Sequence, residues 1–176
     1  AVVLSELRYA RRHLKSWARS KAAVTPLSNW PGRQRVTPVP YGSVLILAPW
    51  NYPFQLCLSP LISALAAGNC AVVKPSELAG RTALVLCALL EELFSPEYVA
   101  VCLGEAETAA ALTALPFDKI FFTGSSAVGR KVLAAAAMDL FTQPALLEEA
   151  KAEFQRRTVA GYTCPIPANA VPVVAD

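Results

Sequence analysis

Hydrophobic residues alternate along the chain between short unbroken runs and longer stretches with helical spacing. The run Val44–Ala48 is rich in β-branched and aliphatic side chains, which is typical of a strand buried on both faces of a parallel sheet. Later apolar runs predict three more strands, at 70–73, 99–103 and 119–123. Segments of helical period predict helices at 58–67, 81–94, 107–115 and 126–137. Because each connection is long enough for a crossover, the pattern predicts an α/β fold with a partial, doubly wound parallel sheet.

Both ends of the chain depart from this alternation. An amphipathic helix is predicted over 4–18, with Leu4, Leu7, Leu14 and Trp17 along one stripe, and a proline-containing extended connector follows it. After Pro144 a polar helix is predicted over 145–157, and the prolines after Val159 predict an extended tail. The predicted organisation is therefore a helix and connector at 1–40, an α/β domain at 41–137, and a helical then proline-rich tail at 138–176.

Composition narrows the class of protein. The chain has 176 residues, 55% of them hydrophobic and 16% charged, which suits one domain with a sizeable core. No apolar run reaches the roughly 18 residues of a membrane span, and the first residues do not resemble a secretory signal. The five cysteines form no disulfide framework, which favours a reducing, cytoplasmic compartment. No cluster has metal-ligand spacing, so no metal site is predicted.

Charge is distributed unevenly along the sequence. Residues 1–40 carry a net charge of +7, whereas the remainder carries −4. A basic arm can bind nucleic acid or a membrane surface. Because its charges interleave with an apolar stripe, a solvated helix face is the favoured interpretation. We therefore expect no nucleic-acid partner and no membrane attachment. A nucleic-acid arm, which would show a steep salt dependence, remains the minor alternative.

The strand ends carry the candidate chemistry, since ligands bind at the carboxyl edge of open α/β sheets. Trp50 and Asn51 follow the first strand, and the Asn51 amide is a neutral donor suited to a developing oxyanion. A simple helix cap is the alternative interpretation of Asn51. The second strand ends in Lys74-Pro75-Ser76-Glu77, whose ammonium and carboxylate suit the hydroxyl groups of a sugar, although a solvated turn would have the same spacing.

The fourth strand ends in Gly124-Ser125-Ser126-Ala127-Val128-Gly129. Serines and free N–H groups at the beginning of a helix form an anion site suited to a phosphate. Ser125 or Ser126 could instead be only a helix cap. The segment is neither the G-x-G-x-x-G fingerprint nor a P-loop.

Four motifs together resemble the aldehyde dehydrogenases, and in particular their class-3, fatty-aldehyde branch. They are Pro-Trp-Asn-Tyr-Pro-Phe at 49–54, Ala-Ala-Gly-Asn at 66–69, Lys-Pro-Ser-Glu at 74–77 and Phe-Phe-Thr-Gly-Ser-Ser-Ala-Val-Gly at 121–129. The resemblance covers residues 1–133. It implies a Rossmann-like fold and a full-length enzyme that oxidises aldehydes to carboxylates with NAD or NADP, through a cysteine thiolate and a thioester.

The resemblance also implies roles for individual residues. Asn51 is similar to the side-chain donor of the oxyanion hole, and Trp50 to a wall of the cofactor cleft. The adenosine ribose would be held by Lys74 and Glu77, with Ser76 in the same cofactor-binding turn. The pyrophosphate region would be formed by Gly124, Ser125 and Gly129.

The sequence departs from the family after these motifs. The family's Glu-Leu-Gly-Gly-Lys motif, whose glutamate is the general base, corresponds to Leu147-Glu148-Glu149-Ala150-Lys151, so Glu148 stands near that place without the glycines. The nucleophile motif is missing. Cys164 lies in a proline-rich tail with no basic side chain nearby to lower its pKa, so we expect it to be an ordinary loop cysteine.

The tail has a resemblance of its own. Residues 131–167 resemble the carboxyl end of zinc-dependent aminoacylase-type amidohydrolases, without that family's metal ligands. The two resemblances imply a partial dinucleotide-binding domain at 41–137 and a tail of different origin at 138–176. The sequence therefore predicts an NAD(P)-binding aldehyde dehydrogenase fragment, truncated or chimeric and inactive alone. The alternative is a non-catalytic module that self-associates through an exposed sheet edge.

Overall fold

The computed structural model describes residues 2–136 of the chain. Its helices are α1 (Val2–Trp17), α2 (Pro53–Ala66), α3 (Gly80–Leu93), α4 (Ala106–Thr113) and α5 (Ser126–Ala136). Its strands are β1 (Lys21–Ala23), β2 (Gln34–Val36), β3 (Ser43–Leu47), β4 (Cys70–Lys74), β5 (Val99–Val101) and β6 (Lys119–Phe122). The predicted helix at 145–157, Glu148 and Cys164 lie outside the described residues.

Four strands form one parallel sheet in the order β5-β4-β3-β6. Alternate residues of β3 contact opposite layers. Val44 and Ile46 pack with the buried residues of α2 and α3, whereas Leu45 and Leu47 pack with Leu112 of α4 and Val132 of α5. Helices therefore cover both faces, and the predicted doubly wound, mixed α/β fold is confirmed.

The carboxyl ends of β3, β4 and β6 meet at one edge of the sheet. Leu47 pairs in register with Lys74 on one side and with Phe122 on the other. The pairing ends where Ala48 N donates to the Lys74 carbonyl over 3.1 Å, because Pro49 has no N–H to continue the ladder. The strand order reverses at β3, because β4 and β5 lie on one side of it and β6 on the other. The crevice at the carboxyl ends of β3 and β6 is therefore the point where ligands bind in folds of this type.

Side chains from both neighbouring segments fix the beginning of β3. Asn69 Oδ1 accepts a hydrogen bond from Gly42 N at 3.0 Å, and its Nδ2 donates to the Ala64 carbonyl at 3.1 Å. On the other side, Asp118 Oδ2 accepts from both the N–H and the hydroxyl of Ser43, at 2.6 and 2.8 Å. These contacts hold the register that aligns the strand ends at the opposite edge.

Two predicted boundaries differ from the structure. Helix α2 begins at Pro53, five residues before the predicted Leu58. Proline is well suited to the first helical position, since its missing N–H would have no partner there. The predicted extended connector contains an antiparallel pair, with β1 and β2 joined through Lys21–Val36, Ala22–Arg35 and Ala23–Gln34. Its short exposed strands have no apolar alternation that would have identified the pairing.

The predicted N-terminal helix is present as α1, but its apolar stripe is not buried. Leu4, Leu7, Leu14 and Trp17 are each about half exposed. The half-buried positions of α1 are instead Val3, Glu6, Ala10 and His13. The Glu6 carboxylate accepts a short hydrogen bond from the Ser59 hydroxyl of α2. Helix α1 therefore contacts α2 through a polar, small-residue face.

The part of the chain that the structure describes contains neither a membrane-spanning helix nor a metal-binding cluster. Between residues 2 and 136, no helix has the length and apolar character needed to cross a bilayer. Over the same span, no three His, Cys, Asp or Glu side chains are grouped so that they could hold a metal ion.

Candidate functional site

Three segments that follow the aligned strand ends form the candidate site. They are Pro49–Asn51 after β3, Pro75–Glu77 after β4 and Thr123–Ser125 after β6. The hydrogen-bond ladder between β3 and β6 ends with a bond of 3.1 Å from Thr123 N to the Leu47 carbonyl. The structure thus brings the predicted residues of all three segments to one edge of the sheet.

Lys74 is the buried charge of this site. Its side chain is only 5% exposed, and its ammonium lies 2.9 Å from Glu77 Oε2. An ammonium has three N–H donors, and Glu77 is its one hydrogen-bond partner among the described residues. A buried cation is costly unless it is hydrogen-bonded, so the two remaining donors favour a ligand that brings oxygen acceptors.

Glu77 remains ionised in this arrangement. Its pKa is lowered below the ordinary 4.5, first by the hydrogen bond from Lys74 and then by a backbone hydrogen bond, with burial opposing both. Its side chain is 41% exposed, so it can accept from a ligand while it holds Lys74. The alternative of a fully solvated turn does not fit a lysine that is almost fully buried.

Ser76 and Trp50 have contrasting surroundings. The Ser76 hydroxyl oxygen is buried and accepts from Leu78 N at 3.3 Å, which caps the short 3-10 turn at 77–79. Its O–H remains a possible donor. Trp50, which follows β3, is 61% exposed, so much of its indole is accessible to a ligand.

Asn51 is exposed at the beginning of the segment leading into α2. Its Oδ1 accepts from Tyr52 N at 3.1 Å. Tyr52, not Asn51, is the N-cap residue of α2, and no side chain caps that helix. The helix-cap interpretation of Asn51 is therefore wrong. No hydrogen bond engages its Nδ2 within residues 2–136, which leaves the amide donor available.

The turn between β6 and α5 is built around Ser125. Its hydroxyl accepts from Val128 N at 3.4 Å, and its carbonyl accepts from Gly129 N at 2.9 Å. Ser125 is thus the cap of α5, as the alternative interpretation stated, and its hydroxyl is engaged. Phe122 also shapes this turn, and the sequence analysis did not identify it. Its ring lies against Gly124 and Gly129. The sequence pattern that could have indicated its role is an aromatic residue at the end of β6 followed by two glycines.

An apolar groove begins near Asn51. It runs along α2 between α1 and α3 and encloses about 1240 Å³. Asn51, Tyr52 and Phe54 line it near the beginning of α2, and Leu7 and Leu93 contribute from the flanking helices. The exposed stripe of α1 is therefore one wall of this groove.

Neither Cys57 nor Cys87 supplies a thiolate nucleophile to Asn51. Burial among apolar residues raises the pKa of Cys57 to about 12. Burial, followed by the hydrogen bond to Glu91, raises the pKa of Cys87 to about 11. Both thiols stay protonated at neutral pH, and the thiolate is the reactive form.

The fold and its strand-edge site define a Rossmann-like α/β protein. Comparison with known proteins gives the family: the family model described as "Aldehyde dehydrogenase family" matches residues 3–153. The chain therefore belongs to the aldehyde dehydrogenase family.

Its relatives are class-3-like enzymes. The 4,4'-diaponeurosporen-aldehyde dehydrogenase of Staphylococcus aureus is 40% identical, over 94% of this chain and 40% of the relative. Aldehyde dehydrogenase family 3 member H1 of Arabidopsis thaliana is also 40% identical, over 84% of this chain and 30% of the relative. A solved structure of the Staphylococcus aureus enzyme AldH in a substrate-bound state superposes with a TM-score of 0.77. It is 46% identical, over 79% of this chain and 30% of that one.

The matches extend further along the chain than the predicted resemblance over residues 1–133. The chain spans less than half the length of these relatives. The family model extends through residue 153, 20 residues beyond the predicted limit at 133, and so includes part of the segment predicted to have another origin. The amidohydrolase resemblance of 131–167 has no support in these matches, and the boundary at 138 stays a prediction.

Proposed function

We propose that this chain is the dinucleotide-binding part of an aldehyde dehydrogenase that oxidises aldehydes to carboxylates with NAD or NADP. The observation that carries the proposal is Lys74, a buried ammonium with spare donors at the ligand edge of the sheet. The chemistry of the pair fits a ribose, because Lys74 donates to its oxygens and Glu77 accepts from its hydroxyl groups. The bound cofactor would supply the hydride acceptor.

The surrounding residues would orient the cofactor. Trp50 would form one wall of its cleft, and Ser76 would donate from the turn that holds Glu77. Gly124, Ser125 and Gly129 would hold the pyrophosphate through backbone N–H groups at the beginning of α5. The ionised Glu77 would repel a 2′-phosphate, so we expect NAD to bind more tightly than NADP.

Asn51 would serve as the oxyanion donor of the complete enzyme. Its free amide nitrogen can donate to the aldehyde oxygen as that oxygen gains negative charge during attack by the thiolate. This donation requires a nucleophile from a part of the enzyme that the described residues do not contain. We therefore expect the chain alone to bind cofactor weakly and to be inactive.

The groove beside Asn51 supports an apolar aldehyde as the substrate of the complete enzyme. Its walls are aliphatic and aromatic, and a long hydrocarbon chain lying along α2 would place its carbonyl near Asn51. Two relatives carry names of this kind, the diaponeurosporen-aldehyde dehydrogenase and the 4,4'-diapolycopene-4,4'-dial dehydrogenase of Cytobacillus firmus. A reducing, cytoplasmic location would suit its unpaired thiols.

Calorimetric titration of NAD and NADP into the purified 176-residue chain tests the cofactor proposal. We expect binding in the millimolar range or tighter, and at least a tenfold loss in Lys74→Met. The variant should still fold, because the Glu77 carboxylate that loses its partner is 41% exposed and remains hydrated. Lys119→Met, which removes a lysine from the opposite end of β6, is the matched control. No binding at millimolar NAD, or equal binding by Lys74→Met, would contradict the proposal.

A self-associating module is the second candidate. Strand β6 pairs with β3 on one side and has no partner on the other within residues 2–136, and Phe121 of this strand is 44% exposed. Unpaired edges and exposed apolar surface favour association. Light scattering would distinguish the two candidates, since a monomer at high concentration argues against this one.

The proposal that the chain is truncated or chimeric is tested by a mass measurement. The mass of the native gene product is expected near three times 18.8 kDa if a catalytic part is missing here. A native product of 18.8 kDa would show that the short chain is the product of the gene.

A further inference from the structure

The ring of Phe122 lies beneath the turn between β6 and α5. It belongs to the apolar layer formed by Leu45, Leu47 and Leu112. A Cβ placed on Gly124 would come within 2.5 Å of Phe122 Cζ, and one placed on Gly129 within 3.2 Å of Cε1. One aromatic ring therefore lies against Gly124 in the turn and against Gly129 in the first turn of α5.

The two glycines are needed for this contact and not for an unusual backbone conformation. Positive φ angles occur at Gly42, Gly68 and Gly104 within the described chain, but not at Gly124 or Gly129. Their shared property is the absence of a Cβ where Phe122 approaches. The glycine pattern that predicts a phosphate site is thus explained by the packing of Phe122.

The same turn presents unused backbone donors. Val128 N and Gly129 N are bonded to Ser125. The N–H groups of Ser126 and Ala127 have no hydrogen-bond acceptor among the described residues. Such free donors at the beginning of a helix favour an anion.

We propose that Phe122 is a positioning residue for cofactor binding. Its ring, held in the core, fixes the backbone of the turn so that the free N–H groups of α5 point at the position of the pyrophosphate. This inference rests on the proposed function, because the anion it serves belongs to the dinucleotide. Phe122 acts through Gly124 and Gly129 and does not touch the ligand.

Amide hydrogen exchange tests the positioning without any ligand. In Phe122→Leu we expect the amides of Val128 and Gly129 to exchange at least tenfold faster, while those of β3 and β4 keep their rates. Phe121→Leu is the matched control, since Phe121 is the preceding residue of β6, is 44% exposed and does not lie against Gly124 or Gly129. Equal rates in the two variants, or an increase spread over the whole sheet, would overturn the positioning role.

A second variant tests the contact itself. Gly124→Ala forces a Cβ against the ring, so it should lower the melting temperature. The loss should shrink by at least half in the Phe122→Ala background, because the space beneath the turn is then open. Additive losses would show that the two positions are not coupled and would contradict the proposal.

The link to the cofactor is tested by comparing adenosine with ADP. The Phe122→Leu variant should bind ADP at least tenfold more weakly than the wild-type chain does, with adenosine affinity changed by less than twofold. Unchanged ADP affinity would overturn the inference. If the wild-type chain binds neither ligand, the proposed function fails, whereas the exchange and coupling measurements still decide whether Phe122 fixes the turn.

Discussion

At the scale of single residues, the Lys74–Glu77 pair has the largest consequences for the site. The pair spans one short turn, and yet the two side chains differ sharply, with Lys74 at 5% and Glu77 at 41% exposure. Burial holds the ammonium in a fixed place, while exposure leaves the carboxylate free to accept from a ligand. The spacing of a lysine and a glutamate cannot reveal this difference, which depends on the packing of the strand end.

The pair should make stability depend on pH. The pKa of Glu77 is lower in the folded chain than its ordinary value of 4.5. Its stabilising contribution is therefore complete above that value and is lost as the pH falls through the folded pKa. In urea unfolding from pH 3 to pH 7, Glu77→Gln should be less stable than wild type at pH 7, and the difference should shrink below about pH 4.5. Glu97→Gln, an exposed glutamate without an ion pair, is the control, and a constant difference across this range would contradict the prediction.

Alanine substitution should have opposite effects on the free energy of unfolding at two glycines. Gly80 begins α3 with φ −52° and has no atom within 4 Å of an added Cβ. Gly80→Ala should therefore raise the free energy of unfolding by about 0.4–1 kcal/mol. Gly42 has φ +126° and faces the Asp118 carboxylate, so Gly42→Ala should lower it by more than about 1 kcal/mol. Chemical unfolding measures both, and a destabilised Gly80→Ala variant would contradict the steric argument.

At the scale of helices and strands, the sequence predicted the repeating core and helix α1, but not the β1–β2 pair or the first turn of α2. Runs such as Val44–Ala48 are buried on both faces, so their hydrophobicity alone identifies the strands. The first turn of α2, which begins at Pro53, lies outside the predicted helix at 58–67, although the first helical position accepts proline. The β1–β2 pair was missed because its residues are exposed and polar. Phe122 was missed because its role depends on two glycines that come close to it only in the fold.

The apolar residues of α1 and α2 should differ in their contribution to stability. Leu61 of α2 is 2% exposed and belongs to the core, whereas Leu7 of α1 is 48% exposed on the groove wall. Leu61→Ala should cost about 2–5 kcal/mol of unfolding free energy through the cavity it leaves. Leu7→Ala should cost below about 1 kcal/mol, since most of its surface is already in water. Equal costs from denaturant titration would mean that the stripe of α1 is buried in solution.

At the scale of the whole molecule, the parallel sheet aligns the segments that follow its strands. They bring together a buried cation, a free amide donor and a helix N-terminus at one edge of the sheet. The thiols whose pKa values are shifted, Cys57 and Cys87, are protonated and lie within helices. The chain belongs to the aldehyde dehydrogenase family and spans 28–40% of the length of these relatives.

The final prediction concerns catalysis by the chain alone. With NAD and a long-chain aldehyde, it should produce no NADH above the rate of a sample without enzyme, because the oxidation needs a thiolate beside Asn51. Absorbance at the NADH band measures this, and a complete class-3 enzyme in the same assay serves as the positive control. Steady aldehyde-dependent NADH production would contradict the prediction. In that case Cys164→Ser and Asn51→Ala would identify the groups responsible, since loss in both would assign the nucleophile to the tail and confirm Asn51 as its oxyanion donor.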